Sequence, residues 1–389
     1  MNNHLMPTYK RKDVSFVRGD GVYLWDTEGK KYIDALSGLA VTNLGHSNLE
    51  ITQVLTSQSQ ELIHTSNAFN ITNQEKLAEK LCKLTCMEKA FFCNSGTEAV
   101  EAALKIAKKH ANDKNVVNPK IISMNNGFHG RTLGALSATF NGKAQDGFEP
   151  LLEGFCPAPY NNSQWLIDFA KDNNNVVAVL LESIQGEGGI IIPDSDYLEN
   201  VRKICDTHGW LMLVDEVQSG FCRTGKWFGY QHSNILPDVV MLAKALGNGV
   251  PIGVCLAKGE AAGTLTIGDH GSTFGGNFLS TAVGLKVVEI MENQSICKHV
   301  TEIGKYFSTE LQKKLKHYKI IKEIRSKGLM VGIELNKEST NLAIDALKIG
   351  LVINITRGNI IRLLPPLIIK KEHVDEIIEK ISLLLKNYE

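Results

Sequence analysis

The sequence predicts an α/β protein, with a large domain on a mostly parallel sheet flanked by helices and a smaller α+β domain. Three observations carry this. Short aliphatic runs alternate with stretches of helical periodicity, the pattern of strands buried on both faces. The carboxyl-terminal part turns Lys-rich and amphipathic. A chain of 389 residues, 43% of them hydrophobic, can fill more than one core.

Taken in order, Val22–Trp25, the turn Asp26-Thr27-Glu28-Gly29 and Lys30–Ile33 read as a β-hairpin. From Leu49 to residue 285, Ala90–Cys93, Lys120–Met124, Val176–Leu181, Leu211–Val214, Val239–Leu242 and Gly253–Ala257 are strand candidates. Asp196–His208 carries a helical stripe of Leu198, Val201, Ile204 and Cys205. Beyond residue 285, amphipathic stretches fall around Val287–Met291 and Ile303–Leu315, with a final helix over Val374–Leu385. Leu329–Leu335 and Asn359–Leu364 read as strands between them. The expected division is 1–48, a hairpin segment packing with the small domain, then 49–285 as the large domain and 286–389 as the small one.

Balanced charge, 42 Lys and Arg against 42 Asp and Glu, argues against a nucleic-acid footprint and against an anionic membrane partner. The longest clean apolar run, Val176–Leu181, falls far short of the ~20 residues of a membrane span. Met1–Lys12 is polar and basic without an apolar core, so no secretory signal is expected. None of the eight cysteines has zinc-ligand spacing, and no metal site is expected. Cys82 and Cys86, one helical turn apart, read as small core residues. Free thiols point to a reducing cytoplasm.

Ligands of open α/β sheets bind beyond the carboxyl ends of the strands. After Phe91-Phe92-Cys93 come Asn94, Ser95, Gly96, Thr97 and Glu98, then a helical pattern. Backbone N–H groups and hydroxyls at a helix start suit a phosphate, although alone this is an ordinary N-cap. Leu211–Val214 ends in Asp215, a candidate site carboxylate or else a turn cap. Val239–Leu242 leads to Lys244, set between alanines with Gly247 and Gly249 behind it, where burial would lower its pKa. A phosphate cradle, a strand-end acid and an embedded lysine are together the kit of a pyridoxal-phosphate enzyme. A nicotinamide oxidoreductase should show a Gly-rich fingerprint after an early strand, and none is present.

The chain resembles the class III, fold-type I aminotransferases over nearly its whole length. The matching segments are Asn94–Ala103, Phe128-His129-Gly130-Arg131-Thr132, Glu182–Gly189, Asp215–Gly220, Ala243–Gly253, Gly271–Asn277 and Arg362–Leu367. Ser37–Val41, Leu44-Gly45-His46 and Ser66-Asn67-Ala68-Phe69 narrow the resemblance to the branch that uses acetylated ornithine as amino donor and 2-oxoglutarate as acceptor. Donors such as ornithine, 4-aminobutyrate or succinyl-diaminopimelate would use the same cofactor residues. The sequence departs from the family in Leu44-Gly45-His46-Ser47-Asn48, which lacks the usual His-Pro, and at Glu182-Ser183, where Glu-Pro is common.

The resemblance implies a site, residue by residue. Lys244 would hold the cofactor as a Schiff base and shuttle the substrate proton, and Asp215 would pair with the pyridinium N–H. Ser95, Gly96 and Thr97 would bind the phosphate, Phe128 would stack on the ring, and Gln218 would support its phenolic oxygen. Glu216 and Val217 belong to the same cofactor segment. Arg131 would take the distal carboxylate and Arg362 the α-carboxylate, as bidentate forks, with Glu187 pairing Arg362 when an amine-terminal substrate is bound. Ser272 and Thr273 would reach the partner subunit's site, Ser272 its substrate and Thr273 its phosphate. A homodimer with shared sites is implied. Leu39 and Asn70 stand near positions where ornithine aminotransferases have tyrosines.

Overall fold

The computed structural model describes residues 4–388. The first three residues of the basic amino-terminal stretch, and Glu389, lie outside them. At the centre is a seven-stranded sheet in the order Lys89–Cys93, Gly253–Ala257, Val239–Leu242, Leu211–Asp215, Val176–Glu182, Lys120–Met124, Phe155–Ala158. Only Gly253–Ala257 runs antiparallel to its neighbours. The middle strands are buried along their full length because helices cover both faces. The helix Gly96–Asp113 presents Ala99, Val100, Ala103, Leu104 and Ala107 to the sheet, and its small side chains let it lie close.

Phe155–Ala158 is a strand that periodicity alone does not announce. It lies at the sheet edge, where Pro157 costs no ladder hydrogen bond. Because the other strands run parallel, Cys93, Met124, Glu182, Asp215 and Leu242 end along one edge of the sheet, and the loops beyond that edge form the site.

The carboxyl-terminal part holds an antiparallel sheet in the order Ile321–Lys327, Met330–Leu335, Ile360–Leu363, Asn354–Thr356, packed with the helices Ile296–Leu315 and Lys371–Lys386. The helix Phe278–Asn293 runs unbroken through residue 285, so the chain passes from one part to the other inside a helix. The amino-terminal hairpin pairs Tyr23–Asp26 with Lys31–Asp34, and Phe16–Asp20 extends it. On its far side Lys31–Asp34 pairs in parallel with Leu351–Val352. Cys86 departs from its expected core position: it is exposed, in left-handed conformation, at the end of the helix Thr72–Thr85. No helix among the described residues is long and apolar enough to cross a membrane.

Candidate active site

A cavity of about 400 Å³ opens at the carboxyl edge of the central sheet. Ser95, Gly96, Thr97, Phe128, Arg131, Glu187, Asp215, Val217, Gln218 and Lys244 of the expected site line it. A larger cavity, about 910 Å³, lies between residues 10–15 and the helix Leu342–Lys348, and no expected site residue lines it.

The floor is the start of the helix Gly96–Asp113. Ser95 caps it, its hydroxyl accepting from the Glu98 N–H at 3.4 Å and donating to the Glu98 carboxylate at 2.8 Å. The N–H groups of Gly96 and Thr97 have no acceptor inside the helix. Gly130, at φ +139°, packs against this floor so closely that a Cβ there would sit 2.1 Å from Thr97 Oγ1. Thr97 Oγ1 lies 3.1 Å from Thr132 Oγ1, and Thr132 donates to Glu101, which fixes the hydroxyl's direction.

Asp215, the last residue of its strand, is buried. One carboxylate oxygen lies 2.9 Å from His129 Nδ1, and the other accepts from the Val217 N–H at 3.0 Å. The opposite ring nitrogen, His129 Nε2, is buried without a partner. Glu182, beside Asp215 on the adjacent strand, accepts from the N–H groups of Phe128 at 3.0 Å and Gly186 at 2.8 Å. Burial pushes its carboxyl up to about 7, and the nearby Asp215 charge adds to this while His129 opposes it.

Lys244 follows Val239–Leu242 at φ +44° and has no hydrogen-bond or ion-pair partner among the described residues. Burial lowers its pKa and Arg362 adds to that; Glu187, Asp215 and Glu182 pull the other way. Arg131 is exposed at the mouth, 5.3 Å from the Phe128 ring centroid, with no ion pair among the described residues. Arg362 is buried behind Glu187, which it meets at 2.6 Å; two of its other N–H groups converge on Asn354 Oδ1 at 2.8 and 3.2 Å. A weaker contact at 3.5 Å joins it to Gln218.

Four expected residues do not line this cavity: Arg362, set behind Glu187, and Glu216, Ser272 and Thr273. The Glu216 carboxylate turns the other way, taking the N–H groups of Gly229 and Tyr230 and the Ser219 hydroxyl, because a buried charge needs several donors. Ser272 holds Asn94 and the Gly275 N–H, and Thr273 is exposed on the loop beside it. His129, Glu182 and Asn354 contact Asp215, Phe128 and Arg362, and the sequence alone assigned them no role. For Glu182 the same signal as for Asp215, an acid closing an apolar strand, was available.

The cavity mouth has an unusual wall. Ser37, Gly38, Leu39 and Ala40 have φ of 45°, 62°, 71° and 63°, one left-handed helical turn in which the Val41 N–H reaches Ser37 O at 2.8 Å. Such backbone costs about 1–2 kcal/mol for each residue carrying a side chain. Val41, and not Leu39, reaches the cavity, and Asn70 is exposed away from it.

A partnerless lysine, a buried carboxylate and an anion cradle around one cavity define an enzyme that handles a phosphorylated carbonyl cofactor. The chain belongs to the class-III aminotransferases, pyridoxal-phosphate-dependent enzymes, and matches that family over residues 7–385. It is 45% identical to the acetylornithine aminotransferase of Nitrosomonas europaea over 98% of both chains. It is likewise 45% identical to that of Aquifex aeolicus, over 98% of this chain and 100% of the other. Among solved structures, the ornithine aminotransferase of Toxoplasma gondii superposes with a TM-score of 0.95 at 30% identity, covering 99% of this chain and 93% of that one. The acetylornithine aminotransferase of Elizabethkingia anophelis gives 0.87 at 33%, covering 99% and 96%. The residues present fit the family's cofactor: free N–H groups for a phosphate, a buried acid for a ring N–H, and an amine of lowered pKa for a carbonyl.

Proposed function

We propose that this aminotransferase moves the terminal amino group of N2-acetyl-L-ornithine to 2-oxoglutarate, giving N-acetyl-L-glutamate 5-semialdehyde and L-glutamate, a step of arginine biosynthesis. The apolar wall at Val41 carries the reading. An acyl group fits such a wall, whereas the α-ammonium of free ornithine would be left unpaired there, a penalty of about 1–3 kcal/mol. The full-length acetylornithine aminotransferase relatives support it. The second reading, an ornithine aminotransferase, has the close superposition on the Toxoplasma enzyme in its favour. The lack of a tyrosine in Ser37–Val41 weighs against it.

Pyridoxal phosphate, when bound, supplies an electron sink for the carbon that loses its proton. Around it the N–H groups of Ser95, Gly96 and Thr97 would hold the phosphate. Asp215 keeps a proton on the ring nitrogen, with His129 fixing the carboxylate. Phe128 and Val217 shape the apolar slot, and Gln218 supports the phenolic oxygen. Lys244 would hold the cofactor covalently through Nζ and, once displaced by the incoming amine, would take up and pass on the proton lost from the substrate's amine-bearing carbon, a task its lowered pKa suits. Arg131 takes the carboxylate of acetylornithine and the side-chain carboxylate of glutamate. Arg362 takes the α-carboxylate of glutamate, and Glu187 neutralises it when the donor offers none.

Ser272 and Thr273 are assigned to the site of a second subunit in a homodimer, Ser272 to its substrate and Thr273 to its phosphate. Residues 49–285 are assigned as the cofactor-holding large domain and 286–389 as the small domain, with the hairpin segment 1–48 packed on the latter, and the enzyme is assigned to the cytoplasm. The test is the ratio of kcat/KM for N-acetylornithine over ornithine, with 2-oxoglutarate as acceptor. The expected ratio is roughly ten to a hundred. A ratio at or below unity overturns the substrate reading.

A further inference from the structure

Arg223 is among the largest fully buried side chains of the molecule, and it lies outside the cavity. It sits on the loop that follows the Asp215 strand, yet every group it holds belongs elsewhere. One terminal nitrogen donates to Leu329 O at 3.0 Å and Pro365 O at 2.6 Å, both in the carboxyl-terminal part. The other donates to Asn43 Oδ1 and lies 3.5 Å from Ser37 Oγ. Its Nε has no partner among the described residues, so the burial is not explained by a full set of hydrogen bonds. Asn43 returns to the same loop by donating to Phe221 O at 3.3 Å.

Ser37 and Asn43 are the two ends of the left-handed turn and the residues that follow it. Ser37 Oγ donates to Leu364 O at 2.6 Å, and the N–H groups of Leu36 and Ser37 both reach Asp34 Oδ1. Ala40 is pressed among Ile184, Ile190, Met330 and Leu364. A strained turn persists only where its surroundings over-determine it. Here the guanidinium joins both ends of the turn to two other parts of the chain, and the segment it holds delivers Val41 to the cavity mouth.

We propose that Arg223 is a positioning residue for amino-donor selectivity: it holds the Ser37–Val41 wall in place against the acyl end of the donor and takes no part in the chemistry. The proposal rests on the substrate reading above. Lysine at this position keeps the charge but lacks the planar fork that reaches acceptors on two sides at once. Glutamate carries no acylamino group beside the carboxylate assigned to Arg131, so it has no counterpart of the acyl end that this wall would contact. Its half-reaction is therefore the internal control.

The experiment measures Arg223→Lys and the milder Ser37→Ala as holoenzymes. Steady-state kinetics are run with N-acetylornithine and ornithine, and the cofactor absorbance change is followed with glutamate alone. The expected result is KM for N-acetylornithine raised about tenfold with kcat within a few-fold, and the preference over ornithine reduced by a similar factor. The glutamate half-reaction should stay within twofold of wild type. Equal losses with all three substrates, or a lowered Tm with unchanged kinetics, would make Arg223 a purely structural residue and overturn the proposal. If Arg223→Lys does not fold, Ser37→Ala decides by the same criteria. If wild type prefers ornithine, the substrate reading fails on its own. The proposal is then judged by whether the variants change KM for ornithine relative to glutamate.

Discussion

At the residue scale the site rests on groups kept from pairing in the ordinary way. Lys244 stands near three carboxylates and touches none of them. Lys244→Ala should abolish transamination, and borohydride reduction of the wild-type holoenzyme should attach the cofactor to Lys244; another labelled lysine would overturn its assignment. Asp215→Asn removes the negative partner of the ring nitrogen. A loss of several kcal/mol in carbanion stabilisation lowers kcat by orders of magnitude, at about 1.4 kcal/mol per tenfold. Near-wild-type turnover would contradict the role. Glu182 gives a pH effect whose sign is fixed by its raised carboxyl value, about 7 in the folded chain. The folded state takes up a proton that the unfolded chain releases at about 4.3. The stabilisation is complete below that value and is lost as pH rises through 7, by at most roughly 4 kcal/mol. In Glu182→Gln the decline of Tm between pH 5 and 8 should flatten; an unchanged slope would show that Glu182 does not titrate there.

At the scale of elements, the site exists because turns from separate strands meet over one helix start. Gly130 marks the tightest meeting, where both its positive φ and the lack of space beside Thr97 exclude a side chain. Gly130→Ala should push Thr97 off the helix start and weaken cofactor binding tenfold or more, as read by titrating apoenzyme with pyridoxal phosphate. Much of this level was legible in advance, because a buried parallel strand is a continuous apolar run and the polar residue that ends it is conspicuous. Asp215 and Lys244 stood out for that reason. Other elements were silent. Ile321–Lys327 is half-exposed with charges on either side of Ile324, so it carries no clean alternation. Arg223 in a Gly-containing loop looks like a surface charge until the fold closes around it. The left-handed turn is invisible to propensity, since only Gly38 among its residues favours such backbone.

For the whole molecule, Ser272 and Thr273 lie outside the lining of their own cavity, on a loop that ends beside exposed Phe274. Mixing Lys244→Ala chains with Thr273→Ala chains should produce heterodimers with one doubly defective site and one intact site, and activity above either parent. Full activity in a demonstrably monomeric preparation would contradict the shared site. The pairing of Lys31–Asp34 with Leu351–Val352 has a temporal side. These strands are more than 300 residues apart in the chain, and a ribosome adding about 5–20 residues per second separates their emergence by some tens of seconds. Throughout that interval the nascent hairpin presents an open strand edge, and the Ser37–Val41 wall lacks Leu364 and Pro365, which hold it in the finished enzyme. The large central sheet can assemble while the chain is still being made, but the substrate mouth can form only after synthesis is nearly complete.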